Sequence, residues 1–500
     1  MNIFNNNQKD FYTNHYISKI LISLFLLSLF LIPLDDLPYL PMLGGLGKRA
    51  SVYAFSLLTA ITFFIYIYNK KIFFIKNLEN YLILAFYGSC IFSIFINFSS
   101  ISESLFKGQS GFKRVIIQLA SITLLLLTMY AIQFIVSKYE LSIFIIRKFI
   151  CLSFIPVAIV ATLQLLNLLK LFDFSYIISK ISYFINSSLR GDLYGSRLRG
   201  ISAEASYLGM YCAFIFPWFF SYLITSKKKL TKLFYGIVSI LILALVVGTK
   251  SRTAVILTLL DILVIGFLII FFYKNIRTKI ISTIILGFMT IFLFNFSSLM
   301  DIVINRPITH SETETETVEP PSNTVNNYEV GGLITSISDT SIDSNIARSS
   351  MQKSALSMGI DHPILGVGLG QFGFYLNEYL PEGAKENSYE VRNWIDTNVS
   401  VWPPVHSIYH RIFAEEGLIG LILYFAFIIT ICLKLFIKII LNRNYKSKCL
   451  IGIILLSSYS SILVGGLTLD QFVVPQFWIM SALCILYNID SLNLNINSKK

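Results

Sequence analysis

Apolar runs of about 17 to 25 residues recur along this 500-residue chain, each long enough to cross a hydrocarbon layer of roughly 30 Å. Inside such a layer every backbone amide needs an internal partner, which leaves only helices or a closed barrel. The runs are continuous rather than alternating, so the expected fold class is an all-α polytopic membrane protein. About twelve spans are expected, near 17–34, 51–68, 81–98, 115–136, 142–165, 203–225, 233–249, 253–273, 279–298, 412–440, 450–466 and 470–488. A hydrophobic share of 55% with only 14% charged residues, and a mean hydropathy of +0.69, exclude an ordinary soluble domain.

The net charge of +12 raises the question of nucleic acid, but the placement of the lysines answers it. They cluster in short connections between apolar runs: Asn69–Lys76, Ser226–Lys232, Tyr273–Lys279 and Asn442–Lys448. That is the pattern of cytoplasmic loops beside anionic lipid, so the bilayer is a partner and nucleic acid is not. With twelve spans all four loops share a side with both termini, which puts the long polar segment 298–411 outside. None of the six cysteines falls in that segment, so no extracytoplasmic disulfide is available there. They read as small hydrophobes between helices. The first apolar run follows a polar stretch without a small-residue cleavage site and reads as an uncleaved span.

Residues 1–297 then hold spans 1–9 with a smaller external loop near 166–202, and 412–500 hold spans 10–12. The large loop between them carries about half of the 28 acidic residues and about five of the 40 basic ones. Its low-complexity stretch Ser311–Pro321 marks an acidic, solvated linker over 306–343. Apolar content returns with Ile346, Met351, Ala355 and Leu356, a helical stripe that stops near Gly359 with Pro363 just beyond. A small helical cap over 344–411 is expected.

Four stretches can carry chemistry. The segment Ser196–Tyr207 brings Arg197 and Arg199 to the outer edge of a span, where a guanidinium either anchors at the interface or forks onto a phosphate or carboxylate. Glu204, just inside, can pair with Arg199 or Arg252, or serve as a base. The tight turn Gly248–Ala254 sets Lys250 and Arg252 beside the first-turn N–H groups of a new helix, an anion site with more positive charge than a hairpin tip requires. Arg348 sits at the start of the cap helix, as a solvated face or a further cation. Gly366, Gly368 and Gly370 lack the strand and βαβ unit of a dinucleotide fingerprint and read as tight turns. Last comes His406, with His410 one helical turn on; Ser407 between them breaks the zinc-protease pattern. Pro403-Pro404 fixes the chain before the helix and pins His406 at its start, where a neutral imidazole accepts a proton from a hydroxyl. Trp394, Trp402, Tyr375 and Tyr409 offer flat aromatic faces to a ligand or belong to the aromatic belt.

In combination these residues resemble the O-antigen polymerase/O-antigen ligase family of bacterial envelope enzymes. The likeness rests, in order, on Arg199-Gly200 with Glu204-Ala-Ser206, on Lys250-Ser-Arg252-Thr-Ala254, and on Arg348 with Gly359. It continues through His362-Pro-Ile-Leu-Gly366-Val-Gly368 to Val405-His406-Ser407 and Glu416-Gly417-Leu-Ile-Gly420. The resemblance implies a GT-C-like glycosyltransferase of the inner membrane that uses no nucleotide sugar, metal or other cofactor. Its donor would be an undecaprenyl-diphosphate-linked oligosaccharide, and its acceptor another lipid-linked repeat unit in a polymerase or the lipid A core in a ligase. On that likeness Arg252 and His406, with Glu204, are the expected catalytic residues. Arg199, Lys250, Arg348, Arg197, His410 and Tyr409 are the expected substrate contacts, and a chain-length regulator is the protein partner to look for. Ala205 stands where polymerase relatives often place proline, and the acidic insert is long; both leave the acceptor open. A transporter or lipid flippase is the rival from another class. It expects intramembrane charge and a pseudo-repeat, for which only Asp261 and the Arg147-Lys148 pair qualify.

Overall fold

Long apolar sequence becomes helix almost throughout. A computed structural model describes residues 15–40, 45–187, 197–304 and 342–494; nearly all of the expected acidic linker lies outside them. The first group of helices is α1 (His15–Phe30), α2 (Ala50–Asn69), α3 (Leu78–Ile96), α4 (Phe98–Glu103), α5 (Gly111–Lys138), α6 (Ile143–Leu152), α7 (Phe154–Leu168) and α8 (Ser175–Ile185). Next come α9 (Ala205–Thr225), α10 (Lys229–Gly248), α11 (Arg252–Phe272) and α12 (Ile276–Ile304). The cap holds α13 (Asp343–Asp361), α14 (Phe372–Tyr379), α15 (Ala384–Asn387) and α16 (Tyr389–Ile395), and α17 (Ile408–Leu441), α18 (Lys446–Gly465) and α19 (Pro475–Asn488) close the chain. The strands β1 (Leu105–Phe106) and β2 (Gln109–Ser110) form one short antiparallel hairpin.

Among the described residues ten helices are long and apolar enough to cross a membrane, α6 and α7 together making one of them. The protein is an all-α polytopic membrane protein. Two of the twelve expected spans are short helices. The first, α1, has 16 residues and is followed by turns around Pro33. The last, α19, has 14 and starts only at Pro475, because residues 468–474 run as non-helical chain. Irregular backbone at such a place is tolerated where protein or a cavity covers it. The outer face of α12 leaves Ile280, Ile284, Phe288 and Ile291 exposed, as a lipid-facing surface would.

The bundle packs α9 against α10, α11 and α18, α3 against α17, and α19 against α5. Phe25, Phe55, Phe86, Trp218, Tyr459 and Trp478 fill its interior. The cap has a core of its own around Met351, Met358, Phe372, Leu376 and Val391, and α13 lies along the start of α17.

The glycine segment and α17 hold each other. At Gly417 the helix breaks, with φ 65° and ψ −162°, freeing carbonyls and amides that α17 would otherwise pair. The Pro363–Gly368 strap supplies their partners. Val367 N donates to Ala414 O at 2.9 Å, Gly368 N to Glu415 O at 3.0 Å, and Leu418 N to Pro363 O at 2.7 Å. The approach is too close for side chains. A Cβ on Gly366 would sit 2.3 Å from the Glu415 carbonyl carbon, and one on Gly417 would sit 2.4 Å from that of Ile364. Ser93 on α3 locks the join from below, donating to Leu365 O at 2.7 Å.

Candidate active site

The connections at one end of the bundle converge with the starts of α9, α11 and α13 on one cavity of about 780 Å³. Helix starts present unpaired N–H groups and the positive end of the helix dipole, so the wall favours anions before any side chain is counted. Among the described lining residues seven are cationic (Lys48, Arg49, Arg197, Arg199, Lys250, Arg252, Arg348) and four are carboxylic acids (Asp35, Glu204, Glu390, Asp470).

Local geometry aims these cations. Ser251 caps α11 by accepting from Ala254 N at 3.3 Å, and Lys250 before it takes a left-handed φ of 48°. Together they set Arg252 in the first turn. Arg252 Nη2 donates to Ser344 Oγ at 3.2 Å, tying α11 to the cap. Arg197 Nε donates to Thr249 O at 3.0 Å, and Arg199 Nη1 to Ala203 O at 3.0 Å. Gln164 on α7 holds the turn below by accepting from Gly200 N at 2.8 Å. Bonds of this kind orient a guanidinium within the wall.

His406 enters from the cap. Its backbone φ is 59°, a strained setting for a non-glycine residue that the surroundings must impose. The preceding Val405 N donates to Asp470 Oδ2 at 2.6 Å, Gln352 Nε2 donates to His406 O at 3.0 Å, and Ser407 caps α17. The ring lies 5.2 Å from that of Trp394, and its Nε2 is buried with no hydrogen-bond partner. Burial pushes the imidazole down to about 4; Asp470 opposes that shift and Arg348 adds to it. The ring is therefore neutral near pH 7, with a lone pair to accept a proton. Across the cavity burial lifts the Asp35 carboxyl to about 6 against the pull of Arg49. Glu390 is raised in the same way, by burial and by Asp343.

Seven of the residues singled out in the sequence meet here: Arg197, Arg199, Glu204, Lys250, Arg252, Arg348 and His406. Glu204 Oε2 accepts from Ser206 Oγ at 3.1 Å. His410 and Tyr409 do not line the cavity. His410 Nδ1 meets the Ser407 hydroxyl at 2.9 Å, while Tyr409 donates to Leu463 O at 2.6 Å and stacks on Phe425. Trp394 and Trp402 line the wall, whereas Tyr375 packs on the cap core. Sequence reasoning missed Asp35, Lys48, Glu390, Asp470 and Gln471. One signal was present: a charged and an amide residue, Asp470-Gln471, open the last apolar run.

Residues 237–425 match the family model described as O-antigen ligase. Over this stretch the chain is similar to the O-antigen polymerase/ligase family. No curated protein matches it. The O-antigen ligase segment supplies Lys250, Arg252, Arg348 and His406, while Arg49, Arg199, Glu204 and Asp470 reach the same cavity from outside it. The match indicates an O-antigen ligase/polymerase-type function, and members of the matched family are glycosyltransferase-like enzymes.

Proposed function

We propose that the protein is a polymerase of a bacterial surface polysaccharide, O-antigen or capsule. It transfers the glycan from undecaprenyl diphosphate to a hydroxyl of another lipid-linked repeat unit, on the outer face of the plasma membrane. The observation that carries this reading is the single cavity where five expected cations, helix starts and an unpartnered imidazole nitrogen meet.

In the reaction the acceptor oxygen bonds to the anomeric carbon as the bond from that carbon to the diphosphate oxygen breaks. The hydroxyl proton passes to His406 Nε2, and the lipid diphosphate leaves with the electron pair. Charge grows on the leaving group, where Arg252, Arg199, Lys250 and Arg348 stabilise it more strongly than in the ground state. Glu204 is positioned to orient a sugar hydroxyl or the guanidinium groups.

A second reading is a ligase that passes the glycan to the lipid A core, favoured by the description of the matched family model. Purified protein incubated with lipid-linked repeat units, with products sized on gels, separates the two. A polymerase lengthens the chains in the absence of any core acceptor; unchanged glycan length overturns that reading. In a deletion strain, loss of long chains with one repeat still on the core marks a polymerase, and loss of all attached glycan marks a ligase.

A further inference from the structure

A second cavity of about 210 Å³ adjoins the first and shares Trp402, Pro404, Asp470 and Gln471 with it. Its far wall comes from α5, which contributes Arg114 and Gln118, and Arg411 and Glu415 of α17 also line it. The chain segment leading to His406 divides the two spaces, since Trp402, Pro403, Pro404 and Val405 line the second.

The chemistry of this pocket differs from that of its neighbour. Among its described lining residues two cations, Arg114 and Arg411, stand against two carboxylates, Glu415 and Asp470. Arg411 is already committed, to Glu415 Oε2 at 3.0 Å and to Asp470 O at 2.7 Å. An anion would therefore find little net attraction. What remains is planar polar groups beside an aromatic wall. The Arg114 guanidinium lies 4.0 Å over the Trp402 ring, and its Nε is buried without a hydrogen-bond partner. The Gln118 side-chain amide adds a donor and an acceptor, and the carboxylates, which already accept from Arg411, Phe372 N and Val405 N, keep further lone pairs. A neutral polyhydroxy ligand satisfies such a set, because each hydroxyl both donates and accepts. Apolar walls with a few convergent polar groups are the usual make-up of a small-ligand site.

We propose that this pocket is a saccharide subsite that seats a sugar ring of the acceptor glycan and presents a hydroxyl past Asp470 toward His406. What the sugar does there rests on the transfer reading above; where it sits rests on the pocket alone. The division of labour follows from charge: the cation-rich cavity takes the diphosphate, and the balanced pocket takes the neutral sugar.

The test uses the full-length protein and, as probe, the oligosaccharide released by mild acid from the cell's own lipid-linked intermediates. Binding is measured for wild type, Gln118→Leu, Arg114→Lys and Arg252→Ala, with undecaprenyl diphosphate titrated in parallel and folding checked by thermal unfolding. Losing one neutral hydrogen bond lowers affinity about threefold to tenfold. Gln118→Leu should therefore bind the oligosaccharide more weakly by that factor and the lipid diphosphate unchanged, with Arg114→Lys behaving alike. Arg252→Ala should show the reverse pattern. Wild-type oligosaccharide affinity in both α5 variants, or no binding by wild type, overturns the subsite. If instead the α5 variants lose the sugar while Arg252→Ala keeps the lipid diphosphate, the subsite stands and the assignment of the main cavity fails.

Discussion

The molecule holds two neighbouring clusters of charge, and they are built on opposite terms. In the main cavity the described side chains reach open space, cations outnumber carboxylates, and the imidazole nitrogen of His406 has no partner. Beneath the cap, Arg411 and Glu415 are buried, paired at 3.0 Å and tied to backbone from Asp470 and Phe372. The first presents the unpartnered His406 nitrogen beside a cation-rich wall, and the second is closed by its own ion pair and backbone bonds. The motifs that suggested chemistry thus divide in two. Arg252 and His406 face the cavity, while Gly366, Gly368, Glu415 and Gly417 splice a broken helix to a strap and so hold His406 in place.

Variants break or sharpen that contrast, beginning with the largest expected effect. Replacing Arg411 by Met leaves Glu415 buried without its counter-charge, which costs about 3–5 kcal/mol of stability. Thermal unfolding in detergent should show a large drop, and a loss of activity with unchanged melting would contradict the structural role. Gly417→Ala places a Cβ 2.4 Å from the Ile364 carbonyl carbon at positive φ. Strain of that kind costs on the order of 1–3 kcal/mol before any clash, to be read as lower yield and melting temperature with glycan transfer per folded molecule partly retained.

Next in size is the pH dependence. His406 must be neutral to take a proton, and burial holds it down to about 4. Turnover should stay level as pH falls from 7 to 5 and drop only toward 4, where an ordinary histidine would lose activity near 6.5. In Asp470→Asn the carboxylate that favours the imidazolium is gone, so the acid limb should move lower while the amide oxygen still accepts from Val405 N. A limb at 6.5 in the wild type would mean the ring is solvated and the cavity differently formed. The smallest effect is expected at His410→Ala. Its ring meets only the Ser407 hydroxyl in the described structure, so turnover should change by less than about threefold, the worth of one modest hydrogen bond.

Much of this was legible in the sequence, for physical reasons that differ by region. The spans announce themselves because lipid demands long continuous apolar runs; Arg197 and Arg199 stood out at the edge of a span, and Lys250 with Arg252 as more positive charge than a hairpin tip requires. His406 was found through the two prolines that pin it. Tyr409 and His410 shared that neighbourhood, but helical phase after Ser407 turns them into the bundle, which composition does not reveal. Asp470 and Gln471 were hidden at the head of an apolar run that reads as helix and is spent instead as irregular chain lining the site. Asp35 and Glu390 lie in short stretches with no spacing signal, and only the folding together of distant loops makes them neighbours of Arg49 and Arg348. The break at Gly417 was invisible for a similar reason: the strap that makes it affordable comes from some fifty residues earlier.

The central claim is that Arg252 holds the lipid diphosphate while His406 takes the proton, and one paired measurement addresses it. Binding of undecaprenyl diphosphate and turnover of lipid-linked repeat units would be measured on wild type, Arg252→Ala and His406→Ala. Loss of one such cation costs on the order of 10²–10³ in rate, and loss of a general base about 10²–10⁴. Arg252→Ala should lose affinity and turnover together, whereas His406→Ala should bind as wild type and fail to turn over. Undiminished turnover in His406→Ala, or wild-type binding by Arg252→Ala, would contradict that claim.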